Sequence, residues 1–229
     1  ALDKEIEEIK EAGAEIKTGS RVDSLDELFK QGYNAIFVSV GAHRGIDMGI
    51  EGESTSGVVD GIDFLREVNL GKKIDVGDKV VVIGGGNVAI DASRTALRLG
   101  AKQVTIAYRR TRSEMPASAE EVDEAVKEGV KILYLAAPVR AMTVDGRLKV
   151  EFIRMELGKI DSSGRHRPVP VEGSQFSDDF DIMIKAIGEQ PEVPDKYMLS
   201  VGRGGRIEVD PDTLATSMKG VFAGGDAVT

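Results

Sequence analysis

An α/β fold, with one strand-and-helix domain nested inside a partial second one, is predicted by three observations. A continuous apolar strand at Lys79–Ile83 runs directly into a glycine loop and then a helix. Two stretches of the chain repeat the same order of helix, glycine and strand. Glycine supplies 27 of the 229 residues, as numerous tight turns and close backbone approaches require.

Along the chain, Leu2, Ile6 and Ile9 recur at helical spacing and stop at Gly13, after which Ala14 to Val22 alternates like a strand. Ser24 followed by Glu27 reads as a capping box for a short helix over Ser24–Lys30. A buried strand, Ala35–Val40, then ends at Gly41. Residues 44–76 carry several glycines and a helical patch at Ile62–Val68. With the polar turn Asn69–Asp78 they read as a crossover between domains.

After the strand Lys79–Ile83 comes GGGNVA (Gly84–Ala89), then a helix through Ala92, Ala96 and Leu99 to Gly100. Val104–Tyr108 is the second strand, and the apolar continuity of both fits a parallel sheet covered on two faces. A helix over Ala119–Glu128 buries Val122, Ala125 and Val126 and stops at Gly129, before the strand Val130–Leu135. Residues 139–176 alternate, with turn signals at Asp145-Gly146 and Ser162-Ser163-Gly164, and read as an antiparallel excursion. The strand Ile182–Ile187 ends at Gly188, and a last short strand, Val221–Ala223, runs into Gly224-Gly225-Asp226.

The repeat sets the domain plan. KEAGAEI (Lys10–Ile16) resembles KEGVKI (Lys127–Ile132), and YNAIFVSVG (Tyr33–Gly41) aligns without a gap to FDIMIKAIG (Phe180–Gly188). The second copy is longer between these markers by about the antiparallel excursion, and a strand, a glycine loop and a second strand precede it. Residues 1–45 and 195–229 are therefore expected to form a partial domain, 46–76 a linker and 77–194 a complete domain. The sequence reads as an internal piece of a longer protein with two nested nucleotide-binding domains.

Composition narrows the function. With 39 acidic against 30 basic residues the net charge is −9, which opposes an extended nucleic-acid or anionic-membrane interface. No cysteine is present, so these residues supply no disulfide, thiolate metal site, iron–sulfur ligand or dithiol pair. No apolar run approaches the roughly 18 residues of a membrane span and the first residues are not signal-like, so the chain reads as cytoplasmic.

GGGNVA fits G-x-G-x-x-A, in which Gly84 permits the tight turn, Gly86 lets the backbone approach a pyrophosphate and Ala89 allows the helix to pack closely on the strand. The helix N-terminus then offers N–H groups and its positive dipole end to an anion. An acidic residue at the end of the second strand would mark NAD; here the strand ends in Tyr108-Arg109-Arg110, which favours the 2′-phosphate of NADPH, with Arg112 as a possible helper. A solvated charge run is the other reading of these arginines. EMPA (Glu114–Ala117) reads as a helix start with Pro116 in the first turn, and Glu114 either orients Arg109 or Arg110 or stays on the surface. Gly224-Gly225-Asp226 is either an ordinary turn or an acceptor for ribityl or ribose hydroxyls. His43 and His166 have no partner at metal or triad spacing and read as surface histidines. No catalytic side chain and no metal site is assigned.

VVVIGGGNVAIDASRTALRLGAKQVTIAYRRTRSEMPA (Val80–Ala117), with DIMIKAIGEQP and GVFAGGDA downstream, resembles the small (beta) subunit of NADPH-dependent glutamate synthase. The resemblance extends to the large subunit of the ferredoxin:NADP oxidoreductase and the amino-terminal part of dihydropyrimidine dehydrogenase, and it covers nearly the whole chain. It implies a Rossmann-like NAD(P)-binding domain inserted in a partial second Rossmann-like, FAD-type domain. Gly84, Gly85, Gly86, Asn87, Val88 and Ala89 would hold the pyrophosphate, Arg109 and Arg110 the 2′-phosphate, and Gly225 and Asp226 the FAD. Gly41 and Gly188 would lie at the interdomain crossings. The implied activity is hydride transfer from NADPH to FAD, with electrons passing on to iron–sulfur clusters or an electron-accepting subunit. FAD is expected in the full-length protein, because the family's first glycine loop, cysteine-rich region and the helix after GGD are not among these residues. A non-catalytic nucleotide-binding or regulatory module is the rival reading.

Overall fold

The structure, a computed structural model, describes residues 2–161 and 164–228. It divides into two units, one formed by residues 42–191 and the other by residues 2–41 with 192–228. No helix among the described residues is long and apolar enough to cross a membrane.

The unit of residues 42–191 is built on a parallel sheet. β2 (Arg44–Gly45), β3 (Val58–Asp60) and α3 (Gly61–Asn69) lead into β4 (Lys79–Gly84), α4 (Asn87–Arg98), β5 (Gln103–Tyr108), α5 (Ala119–Glu128) and β6 (Lys131–Tyr134). Antiparallel strands β7 (Ala136–Val144), β8 (Arg147–Ile160), β9 (His166–Pro170) and β10 (Phe176–Phe180) follow, and the chain returns through β11 (Ile182–Ala186) to β12 (Glu189–Gln190), which pairs with β2. Five parallel strands lie in the order β3-β11-β4-β5-β6.

Both faces of this sheet are covered, which is why β4 reads as an unbroken apolar run. Val80, Val82, Val104, Ile106 and Ile184 pack with Phe64, Ala89, Ile90, Ala96, Val122 and Ala125 from the helices. Val81, Ile83, Ala107 and Met183 pack on the other face with Ala141, Val150, Phe152 and Phe180 from the antiparallel strands. There Phe152 stacks on Phe176 with centroids 5.4 Å apart.

Several expectations are corrected in this unit. Residues 46–76 are no linker: β3 extends the sheet beside β11, while Phe64 and Val76 are buried in the helical-side core. In α5, Val122 and Ala125 are buried but Val126 is 46% exposed, because only one stripe of the helix faces the sheet. Pro116 is not in the helix, which begins after the N-cap Ser118, whose hydroxyl accepts from Glu121 N–H at 3.2 Å. Asp145 and Gly146, with φ of 50° and 78°, turn β7 into β8 as the two-residue hairpin signal requires. The signal at Ser162-Ser163 lies outside the described residues.

The smaller unit holds α1 (Leu2–Glu11), α2 (Leu25–Lys30), β1 (Ile36–Val38) and β13 (Val221–Ala223), the two strands pairing in parallel. Its core gathers Leu25, Ile36, Val38, Tyr197, Ile207 and Val221. Ser24 stands at the N-cap of α2 without a side-chain cap bond, so the expected capping box is not formed. Residues 14–22 form no strand: they follow α1 as irregular, mostly exposed chain, and β1 pairs only with β13 in its sheet. An alternating pattern forms a strand only where a neighbouring strand takes up its N–H and C=O groups.

Candidate functional site

β4 ends in the glycine loop at the centre of the sheet, with β5 on one side and β11 on the other. Strand order reverses there, and ligands of open α/β sheets bind in the crevice that such a reversal leaves beyond the strand ends. A cleft of about 610 Å³ lies at this place, lined by Gly84–Val88, Tyr108, Arg109, Arg110, Pro116 and Gly188 among others.

Each glycine of the loop is held by a different constraint. Gly84 has φ +146°, and a β-carbon there would fall 2.0 Å from the Ala186 carbonyl oxygen, so it permits the tight turn against β11. At Gly85 a β-carbon would fall 2.6 Å from the Tyr108 ring. At Gly86 it would meet only Pro116, 4.0 Å away. All three glycines line the cleft, and only at Gly86 would a side chain have open space rather than a collision with the fold. α4 starts at Asn87 with Gly86 as its N-cap and no side-chain cap bond, and its N-terminal residues Asn87 and Val88 line the cleft. Ala89 does not: it is fully buried in the core, allowing α4 to sit close to the sheet.

The segment after β5 folds back onto this loop. Tyr108 donates its hydroxyl to the Glu114 carbonyl at 2.6 Å, and Ala117 N–H donates to Gly85 O at 3.2 Å. Thr111 and Glu114 form a reciprocal capping box between them. This explains why tyrosine, glutamate and EMPA accompany the glycine loop: they fix the wall that faces Gly86. Glu114 orients neither arginine. Its carboxylate takes hydrogen bonds from Thr111 and pairs with His166 Nδ1 at 3.0 Å, and these bonds, that of the Thr111 hydroxyl foremost, hold its pKa below the usual carboxylate value.

The two adjacent arginines differ. Arg109 is exposed and lines the cleft; crowding of its guanidinium by protein atoms, and then the charge of Arg110, press its pKa below the ordinary arginine value. Arg110 is only 4% exposed, with Nη2 on Asp161 at 2.9 Å and Nε donating to the His166 carbonyl at 2.6 Å. Arg112 pairs with Asp123 at 2.6 Å and is not among the cleft-lining residues. His166 is thus part of a polar network rather than a lone surface histidine, whereas His43 is exposed.

Gly41, Gly225 and Asp226 belong to the smaller unit. Gly41 closes the β1 segment at φ +70°, Gly224 N–H donates to Val38 O at 3.2 Å, and Gly225 turns at φ +66°, leaving Asp226 exposed. Among cleft residues the sequence reading did not single out are Met48, Ile50, Ala137, Arg165 and Glu189. Arg165 had a legible signal, the basic run Arg165-His166-Arg167 in an acidic chain.

A parallel strand, a glycine turn and a helix N-terminus opening on a crevice at a strand-order reversal together define a dinucleotide-binding α/β fold. The chain belongs to the pyridine nucleotide-disulphide oxidoreductase family, whose model matches residues 1–229. It is 45% identical over 98% of its length to an NADP(+)-dependent formate dehydrogenase subunit beta of Moorella thermoacetica, covering 33% of that protein. It is also 41% identical to an NADPH-Fe(3+) oxidoreductase subunit beta of Geobacter sulfurreducens, with 99% of this chain and 38% of that protein covered. The small chain of the NADPH glutamate synthase of Azospirillum brasilense is 39% identical, with coverages of 90% and 46%. The chain therefore spans between a third and a half of these relatives. FprA of Mycobacterium tuberculosis, solved in complex with NADPH, has the same fold, with a TM-score of 0.74 at 17% identity, covering 99% of this chain and 66% of FprA.

Proposed function

We propose that the chain is the NADPH-binding portion of a flavin-dependent oxidoreductase, with residues 42–191 as an NADPH-binding domain inserted in an FAD-type domain made of residues 1–41 and 192–229. The observation that carries this reading is that Gly86, the N-terminus of α4 and Arg109 open on one cleft. The cradle fits a pyrophosphate: a β-carbon at Gly86 would project into it, and the first N–H groups of α4 point their partial positive charge there. Arg109 stands at the end of β5, where a 2′-phosphate is met and where an acid would serve a free hydroxyl. The names of the three relatives above each carry NADP(+) or NADPH, which supports the same choice.

Bound together, NADPH and FAD supply the hydride donor and acceptor. This chain's residues bind and orient: Gly84–Val88 seat the pyrophosphate, Arg109 anchors the adenosine end, and the loop from Ala186 to Gly188 forms the other wall of the cleft. Gly225 and Asp226, at the end of β13, are assigned to FAD hydroxyls, the exposed carboxylate being the acceptor. In the whole protein the electrons pass to iron–sulfur clusters or an accepting subunit.

Calorimetric titration with NADPH and NADH tests the reading. Tighter binding of NADPH by roughly 10- to 150-fold is expected, from one or two charge-assisted contacts, with most of that preference lost in Arg109→Ala. Equal affinities in the unsubstituted chain would contradict it.

A further inference from the structure

β11 is an inner strand of the parallel sheet, and Ile182, Met183, Ile184 and Ala186 are buried along it. Lys185 interrupts that apolar run, on the face that Met183 shares with the antiparallel strands. A charge in such a place costs desolvation, and the Lys185 side chain is only 12% exposed. Its ammonium is met by two carboxylates, Asp47 at 2.9 Å and Glu53 at 3.0 Å. Asp47 is largely exposed, whereas Glu53 is about as enclosed as Lys185, so Lys185 and Glu53 form the sheltered pair.

Glu53 also closes a turn. Its two carboxylate oxygens accept from Met48 N–H at 2.6 Å and Gly49 N–H at 2.8 Å, and Gly49 takes φ +72° there. The stretch around this turn is fastened at both ends: Ile46 N–H donates to the Gly188 carbonyl at 3.0 Å, and Ala141 N–H donates to the Glu51 carbonyl at 2.9 Å. Met48 and Ile50 pack against the buried cluster that holds Ile83 and Met183, and both line the cleft with Ile187 and Gly188. Ile50 also lines a second hollow, shared with Lys185, Asp47 and Glu53, so one short segment joins the ion pair to the cleft.

Arg109 stands at the end of β5, so a dinucleotide extended across the strand-order reversal puts its other half toward β11. Met48, Ile50 and Ile187 give that side an apolar surface suited to a flat ring. We infer that Lys185 and Glu53 are positioning residues for the nicotinamide half of NADPH: their ion pair holds the Met48–Ile50 turn as the wall on which the ring is seated. This rests on the NADPH reading of the same cleft and deepens it. Lys185 and Glu53 act through the turn, and Met48 and Ile50 make the contact.

The test compares NADPH with 2′,5′-ADP, which carries the adenosine half and both its phosphates but no nicotinamide, by calorimetric titration into the 229-residue chain and its variants. Lys185→Met keeps the length of the side chain but leaves the Glu53 carboxylate without its sheltered counter-charge, and Glu53→Ala removes the acceptor of both turn N–H groups. The unsubstituted chain should bind NADPH more tightly than 2′,5′-ADP. Each variant should weaken NADPH by roughly fivefold or more while leaving 2′,5′-ADP unchanged, and the unchanged ligand shows that the rest of the cleft is folded. Lys185→Arg, which keeps the charge, should recover part of the loss, and the double variant Lys185→Met/Glu53→Ala should lose little more than either single one. Equal loss of both ligands, unchanged NADPH affinity in Lys185→Met, losses that add in the double variant, or equal binding of the two ligands by the unsubstituted chain would overturn the inference while leaving the NADPH reading standing. An unsubstituted chain that binds neither ligand would instead remove the NADPH reading itself, and the inference with it.

Discussion

Gly13 and Gly129 close their helices in the same way, yet the chain that leaves them behaves differently. At both, the glycine N–H bonds the carbonyl three residues back and the next N–H bonds the carbonyl five back: Gly13 to Lys10 and Ala14 to Ile9, Gly129 to Val126 and Val130 to Ala125. Both glycines turn at similar positive φ, +95° and +108°, the usual left-handed helix stop. After Gly129, Val130 is buried and β6 pairs with β5; after Gly13, residues 14–20 stay exposed and join no strand, and α1 buries no side chain. Local chemistry sets the turn, whereas the neighbouring strand decides whether a strand follows.

The same contrast separates the two ends of the aligned segments Tyr33–Gly41 and Phe180–Gly188. β11 has β3 on one side and β4 on the other, and Ala186 stacks against the glycine loop. Among the described residues β1 pairs only with β13, and Phe37 on its face is 58% exposed. One stretch is locked into a sheet that builds a cleft; the other forms a two-stranded ribbon.

This comparison can be broken most severely at the glycine loop. Gly84→Val places a β-branched side chain at φ +146° against the Ala186 carbonyl, and should destabilise the unit by about 3 kcal/mol or more in urea denaturation. Gly86→Val, two residues on, places its β-carbon 4.0 Å from the nearest atom, of Pro116, and should leave the denaturation midpoint nearly unchanged while abolishing measurable dinucleotide binding. A folded Gly86→Val that still binds NADPH would show the loop to be only a turn.

A smaller effect sharpens the helix-stop comparison. Gly129→Ala should cost about 1 to 2 kcal/mol, because alanine must adopt the left-handed turn ahead of a buried residue and a paired strand. Gly13→Ala should fray α1, seen as a small loss of helical circular dichroism, with little change in the denaturation midpoint. Equal destabilisation at the two sites would mean that residues 2–22 are packed as firmly as residues 119–134.

The mildest effect is in acid. Burial of the Asp181 carboxylate works against its charge, but the Lys79 and Asp78 N–H groups, each at 2.8 Å, with Arg147, outweigh it and hold the pKa below its ordinary value. A depressed folded-state pKa contributes stability that is complete above the unfolded value, near pH 4, and is lost as pH falls through the folded value. Asp181→Asn should therefore flatten the decline of stability below about pH 4, measured by denaturation at stepped pH. An unchanged acid limb would show that other carboxylates dominate it.

Much of the cleft was legible because its signals are local. A strand, a three-glycine turn and a helix announce themselves within Lys79–Arg98, and Asp145-Gly146 specifies its hairpin through two positive φ angles. Long-range pairings were not legible. Arg110 and Arg109 are adjacent and chemically alike, and the distant Asp161 and His166 separate a buried anchor from an exposed cation. Pro116 reads as a helix start until the fold brings it opposite Gly86. The alternation at Ala14–Val22 failed as a strand because pairing is a property of the neighbour.

Amide hydrogen exchange with and without NADP⁺ tests the central claim most directly. The N–H groups of Gly85–Val88, at the loop and the start of α4, should gain protection on saturation, together with Arg109, while residues 2–22 exchange as before. Binding that leaves Gly85–Val88 as exchangeable as in the free chain would contradict the assignment of the glycine loop to the pyrophosphate.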